Sequence, residues 1–206
     1  AGRGDAGGTV INAIAIIPLF GTVGDAGQIG KIIVRAAAKN ADTLGGIAKF
    51  LFKGFDFVSD GWGRKYVAEL LPELEKQSDK ATAFKFLDEF SDGAGTALKK
   101  TYGYSDELIL GVAKNNGDLS KTLRIATDNT GAVRWLEEGK LVSAADSTTW
   151  VRDVGGTGWK HIRNNHIINP GGNEFLRYGD EFASEEKIKD LIADTIKAGK
   201  PDPSAP

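Results

Sequence analysis

Residues 105–139 read SDELILGVAKNNGDLSKTLRIATDNTGAVRWLEEG, and how this stretch is parsed decides the fold class. Ser105 stands before Asp106 and Glu107, which makes a capping residue followed by an acidic first turn, and the run closes on an asparagine-glycine helix end. DLSKTLRIATDNTG repeats that grammar, and AVRWLEEG closes on Gly139. Parsed this way the stretch holds short packed helices, and the chain is mainly α. Strand signals are confined to KLVSA (140–144) and STTWVRDV (147–154), the second rich in Thr, Trp and Val.

The flanks of this stretch agree with a helical protein. SEEKIKDLIADTIKAGK (184–200) is the best-specified element. Ser184 is placed to accept from the free backbone donors of the first turn, and Glu185 and Glu186 sit at the positive end of the helix dipole. Ile188, Leu191, Ile192, Thr195 and Ile196 form one apolar stripe, Lys197 and Lys200 lie at the negative end, and Gly199 is a stop. On the N-terminal side, ATAFKFLDEFSDGAG carries Phe84, Leu87 and Phe90 at helical spacing before a glycine stop. From Arg64 the spacing of Val67, Leu70, Leu71 and Leu74 is that of an amphipathic helix, in which Pro72 predicts a kink or an early stop near Leu71. Further upstream, two apolar stretches between residues 9 and 38 are hinged at Pro18, Gly21 and Gly24. Val10 to Phe20 is about half the length of a spanning helix, which needs roughly 20 apolar residues. This hairpin reads either as buried core or as a membrane-contacting device. In the second case the aromatic and basic residues interleaved through residues 47–71 would help it.

Composition narrows the function classes. In 206 residues, 41% are hydrophobic and 26% charged, with a net charge of -2. That balance is one of a soluble globular protein and not of a disordered chain or one that coats nucleic acid broadly, so any nucleic-acid contact must be local. The absence of cysteine excludes disulfides, thiolate metal sites and a cysteine nucleophile. The absence of methionine, the start at AGRGDAGG and the proline-rich GKPDPSAP tail lead us to expect a piece of a larger parent polypeptide.

Both histidines lie in GWKHIRNNHI (158–167), and no acidic residue occurs from Val154 to Asn173. Being five apart, His161 and His166 point roughly 140° away from each other on a helix, at about 100° per residue, so they cannot share a metal on one face. With no cysteine and no histidine elsewhere, a zinc site would need carboxylates from afar, so no metal is expected, and no other cofactor is expected either. Ile162 and His166 share a face, which casts His166 as a packing residue, while His161 shares its side with Asn164 and Asn165. A histidine near neutral pKa between a lysine and an arginine suits cleavage of a phosphodiester by an internal 2′-hydroxyl. The imidazole of His161 moves the proton, with Lys160 beside it. Arg163 would stabilise non-bridging oxygens, Asn164 would face the substrate, and Trp159 could stack on an unpaired base. The competing reading makes the same histidine a solvated surface group.

GWKHIRNNHI, followed by EF and then SEEKIKDLIADTIKAGK, resembles the opening helices of the domains that end many bacterial and archaeal polymorphic toxins. These form the barnase, colicin D and RelE-like ribonuclease group, in which a KHI…H segment precedes a Phe and an amphipathic EEIKxLIxxTIxxG helix. The resemblance covers about residues 155 to 200, and IAIIPLFGTVGDAGQIGK is similar to the pre-toxin segment SIIPxxGDAxxxxG that stands ahead of such domains. It implies His161 and Lys160 on the active-site helix, with Arg163 as a phosphate contact. It also implies a mainly α chain in which a helical pre-toxin region precedes the N-terminal helices of an α+β ribonuclease-like domain whose sheet is largely missing. The expected divisions are a flexible glycine-rich start (1–8), a helical pre-toxin region (9–146) with its apolar hairpin at 9–38, and a partial ribonuclease-like domain (147–206). The implied activity is metal-independent cleavage of RNA in a competitor cell, after secretion or delivery from a cell surface to the target cytoplasm. The implied partners are the RNA substrate, an immunity protein and a transient membrane contact through residues 9–71. The alternative is a helical structural or membrane-interacting module of a large secreted or virion protein, with no catalysis.

Overall fold

The computed structural model describes residues 62–199, and within them the chain is mainly helical with one small antiparallel sheet. The apolar hairpin expected at 9–38, the glycine-rich start, and most of the aromatic segment 47–71 lie outside the described residues. The chain divides between Asn116 and Gly117 into two compact units.

The first unit contains α1 (Trp62–Gln77), α2 (Lys80–Phe90), α3 (Ala94–Tyr102) and α4 (Asp106–Lys114). Helix α1 runs on through Pro72 to Gln77, where a stop near Leu71 was expected. The proline ring is on the exposed side of the helix, and the opposite side is held by Val67, Leu70, Leu71 and Leu74, all buried. Burying four large side chains outweighs the roughly 3 kcal/mol that an interior proline costs a helix. Helix α2 begins at Asp79, whose carboxylate accepts from the Thr82 amide at 2.7 Å, and buries Phe84, Phe86, Leu87 and Phe90. Gly93, in the left-handed region at φ 77, is the expected glycine stop. Asp88 on α2 then bonds Thr96 through backbone and side chain at 2.7 and 2.6 Å, fixing the first turn of α3. Ser105 caps α4 by accepting from the Leu108 amide at 3.3 Å, as its place in the sequence predicts. Helices α1 and α2 both pack on α4, which buries Ile109, Leu110, Val112 and Ala113.

The second unit overturns the helical parse of residues 118–139. After one 3-10 turn at Leu119–Lys121 the chain forms β1 (Thr122–Thr127) and β2 (Val133–Glu137), an antiparallel hairpin. Ile125 pairs with Trp135 and Ala126 with Arg134. Asp128 closes the turn: its Oδ1 accepts from Thr130 N, Thr130 Oγ1 and Ala132 N at 2.9, 2.6 and 3.0 Å, and Gly131 takes the left-handed conformation at φ 84. DNTG is thus a hairpin turn, where a helix end was expected. The stretches expected as strands, 140–144 and 147–154, are irregular, with one isolated bridge between Lys140 and Thr157. They carry β-formers but have no partner strand among the described residues, and a strand has no backbone partners of its own.

Helix α5 (Gly158–His166) and helix α6 (Glu185–Ala198) complete this unit, linked by 3-10 turns at Glu174–Tyr178 and Asp180–Ala183. Its core is Leu136 from β2, Trp159 from α5 and Ile188 from α6, with Leu123, Ile162, Phe175, Phe182 and Ile192 packed around them. Arg124 of β1 is buried and reaches across to α6, donating to Asp190 Oδ1 and Glu186 Oε2, both at 2.7 Å. The hairpin is therefore continuous with the last two helices, and the boundary falls well before residue 147. Ser184 precedes α6 without a side-chain capping bond, so the expected cap is not made.

Candidate active site on helix α5

GWKHIRNNH forms a helix as expected, and three glycines at or near its start set how closely the preceding loop can approach. A Cβ on Gly158, at φ 66, would stand 2.6 Å from the Glu137 carbonyl oxygen, and one on Gly156 would collide with Asp153 Oδ2. Gly139, at φ 69, faces the Thr157 carbonyl in the same way. These close approaches lay the loop of residues 141–157 against α5.

That loop delivers a residue overlooked in the sequence. Asp153 has a side chain with no exposed surface, and its Oδ2 lies 3.0 Å from His161 Nδ1. Its Oδ1 sits in a cradle of backbone amides, accepting from Val142 at 2.7 Å, Ser143 at 2.8 Å and Ala144 at 3.4 Å. Burial works against ionisation of this carboxyl. The Val142 amide, the His161 ring and the Ala144 and Ser143 amides outweigh it and hold the carboxyl below its ordinary value. Asn165, one turn beyond His161 on the same side, grips the backbone of residue 153 at two points. Its Oδ1 accepts from Asp153 N at 2.8 Å and its Nδ2 donates to Asp153 O at 2.9 Å. The same Nδ2 stands 3.4 Å from His161 Nε2. The His161 ring is about one-third exposed, at 30% of its side-chain surface.

The other expected site residues separate into different roles. Trp159 is buried in the core, with Lys189 Nζ 4.7 Å from its ring centre, so its faces are occupied and it is no open stacking platform for a base. Asn164 is likewise buried, donating to Val151 O at 2.9 Å and to Asn165 Oδ1 at 3.0 Å, while its carbonyl accepts from Trp150 Nε1 at 3.0 Å. It holds the loop and does not face a substrate. His166, expected on the packed side with Ile162, is the more exposed of the two histidines and meets Glu174 at 3.1 Å. Of the pair Ile162 and His166, only Ile162 packs against the core cluster.

The window without acids is not free of carboxylates in space. Lys160 pairs with Glu138 at 2.7 Å, Arg163 with Glu185 at 2.7 Å, His161 with Asp153 and His166 with Glu174. Every base of the helix meets an acid that lies outside residues 154–173 or at their edge. The Glu138 carboxyl is held below its ordinary value first by the hydrogen bond from Lys160 and then by its charge. Glu174 is lowered chiefly by the bond from His166. Among the described residues no group of three or more His, Cys, Asp or Glu side chains is arranged to hold a metal ion, and no helix is long and apolar enough to cross a membrane. Comparison with family models, with curated proteins and with solved structures gives no match to this chain.

Proposed function

We propose that the chain is part of a secreted polymorphic toxin that cleaves RNA of a competitor cell by metal-independent acid-base catalysis, with His161 as the proton-carrying group. The observation that supports this is the pair formed by His161 and the buried Asp153. A partly exposed imidazole, backed by a carboxylate that is itself anchored by backbone amides, is the arrangement a proton-transfer group needs. In the reaction the ribose 2′-oxygen attacks the adjacent phosphorus as its proton passes to the imidazole. The bond from phosphorus to the 5′-oxygen breaks, and that oxygen takes up a proton from water, leaving a 2′,3′-cyclic phosphate and a 5′-hydroxyl. Lys160 and Arg163 lie on the same short helix. Their carboxylate partners are solvent-exposed, so a phosphate can exchange with them at little cost.

On this reading the neutralising partner is an immunity protein, and the parent polypeptide carries the domain out of the producing cell. A second reading is favoured by the complete pairing of the four bases: α5 is then a structural bolt for the 141–157 loop, in a helical module of a large secreted or virion protein. End-group analysis separates the two. Cyclic-phosphate and 5′-hydroxyl termini generated from RNA in the presence of a chelator support the nuclease. Intact RNA after exposure to the natural polypeptide carrying this chain supports the bolt.

A further inference from the structure

We infer that Asp153 and Asn165 together lock the His161 ring with its proton on Nδ1 and its lone pair on Nε2, making Asp153 a positioning residue and Nε2 the base. As a statement about catalysis this rests on the ribonuclease reading; as a statement about the ring it rests on geometry alone.

What each neighbour can donate or accept decides which ring nitrogen carries the hydrogen. An ionised carboxylate only accepts, and Asp153 Oδ1 is already committed to the amides of Val142, Ser143 and Ala144. Oδ2, 3.0 Å from Nδ1, is left to accept from the ring, so Nδ1 carries the hydrogen. The other nitrogen is approached by a donor. Asn165 cannot present its oxygen there, because that oxygen accepts from Asp153 N and Asn164 Nδ2 while one N–H of its amide is spent on Asp153 O. The remaining N–H points toward Nε2, which must therefore be the unprotonated nitrogen. Both sides of the ring select the same tautomer. At 3.4 Å the Asn165 contact is at the long end of hydrogen bonding, so a substrate hydroxyl displaces it readily. The proton leaving the 2′-oxygen then forms the Nε2–H bond, and the positive charge on the ring is met by Asp153. Gly156 belongs to the device, since any Cβ there would push Oδ2 from its place.

Asp153→Asn tests this with little change of shape. The amide cradle requires an oxygen at the Oδ1 position, so the nitrogen of the introduced side-chain amide must take the place of Oδ2 and donate to Nδ1. The ring is then forced to carry its proton on Nε2. With only two histidines in the chain, ring nitrogen resonances of 15N-histidine-labelled protein can be assigned with His161→Gln as reference. We expect Nδ1–H in the wild-type ring and Nε2–H in Asp153→Asn, with His166 unchanged, together with a loss of RNA cleavage of about 10²- to 10⁴-fold when the substitution is made in the natural polypeptide carrying this chain. A wild-type ring protonated on Nε2, which can be read without any variant, overturns the inference, as does an Asp153→Asn ring still protonated on Nδ1. A tautomer that switches as expected while the unaltered natural polypeptide shows no cleavage leaves the positioning intact and removes the nuclease. A switched tautomer with cleavage at the full rate overturns the assignment of Nε2 as the base.

Discussion

Trp159→Ala separates a core role for this ring from the stacking role that its place beside Lys160 and His161 suggests in sequence. The indole is 6% exposed, touches the cluster of Leu136 and Ile188, and has Lys189 Nζ 4.7 Å from its ring centre. Truncating a buried tryptophan costs about 3–5 kcal/mol, and losing a partly desolvated cation–π contact adds about 0.5–1 kcal/mol. The total is about 4–6 kcal/mol. At roughly 0.05–0.15 kcal/mol per residue, a unit of this size is stabilised by about 5–13 kcal/mol, so the substitution removes a large part of it. Trp159→Phe keeps one ring in the cavity and should cost about 1–2 kcal/mol. Urea unfolding followed by circular dichroism gives both figures, and amide exchange at Leu136 and Ile188 localises the loss to the second unit. If Trp159→Ala costs less than about 1 kcal/mol and instead weakens RNA binding, the ring is a stacking platform and the core assignment is wrong.

Pro72→Ala should raise stability, by up to about 3 kcal/mol, because it restores a backbone donor within α1 without changing the buried face; a lower melting temperature would show that the ring packs usefully. Gly156→Ala should push Asp153 from Oδ2 contact and broaden or shift the His161 ring signals while leaving the first unit's amide spectrum unchanged, and identical His161 signals would contradict the close approach. The Asp153 carboxyl is held low in the folded state, so its contribution to stability is complete above about pH 4, the ordinary aspartate value, and drains away as the pH falls through the lowered native value. Amide exchange at Val142 and Ser143 should accelerate over that interval, and protection that persisted to the lowest pH would count against the cradle.

The elements legible in the sequence are those whose signals are local. Ser105 with its acidic turn, the stripe of α6 and the aromatic run of α2 each specify a helix within a short span of chain, and each forms. The hairpin escapes the helical parse because its inward side includes Arg124. A buried arginine blurs the alternation of Leu123, Ile125 and the residues opposite, and it is tolerable only because Glu186 and Asp190 meet it from far along the chain. The turn signal DNTG between two short apolar runs is present in the sequence, and weighing it as a hairpin recovers β1 and β2. The stop expected at Pro72 rests on backbone chemistry alone, without knowledge of which side of α1 is solvated. At the candidate site, the helix and the grouping of His161 with Asn165 are visible as i, i+4 neighbours. Asp153 is not, since it sits in a segment expected to be strand and its contact depends on three glycines that let the loop close down. The acid-free window is likewise a property of sequence distance, which says nothing about Glu138 and Glu185 coming from a strand end and another helix. The two histidines consequently exchange their expected roles in stability: His161 is tied to a buried network, and His166 to one exposed carboxylate.

Whether His161 moves the proton in RNA cleavage is decided by the cleavage rate of the natural polypeptide carrying this chain, measured in chelator with and without His161→Ala. The amount of folded protein is matched by circular dichroism, because the substitution also loosens the loop. Cleavage by the unaltered protein is expected, with a rate lower by about 10²- to 10⁴-fold in the variant. An unchanged rate, or no cleavage by the unaltered protein, contradicts it and leaves α5 as structure alone.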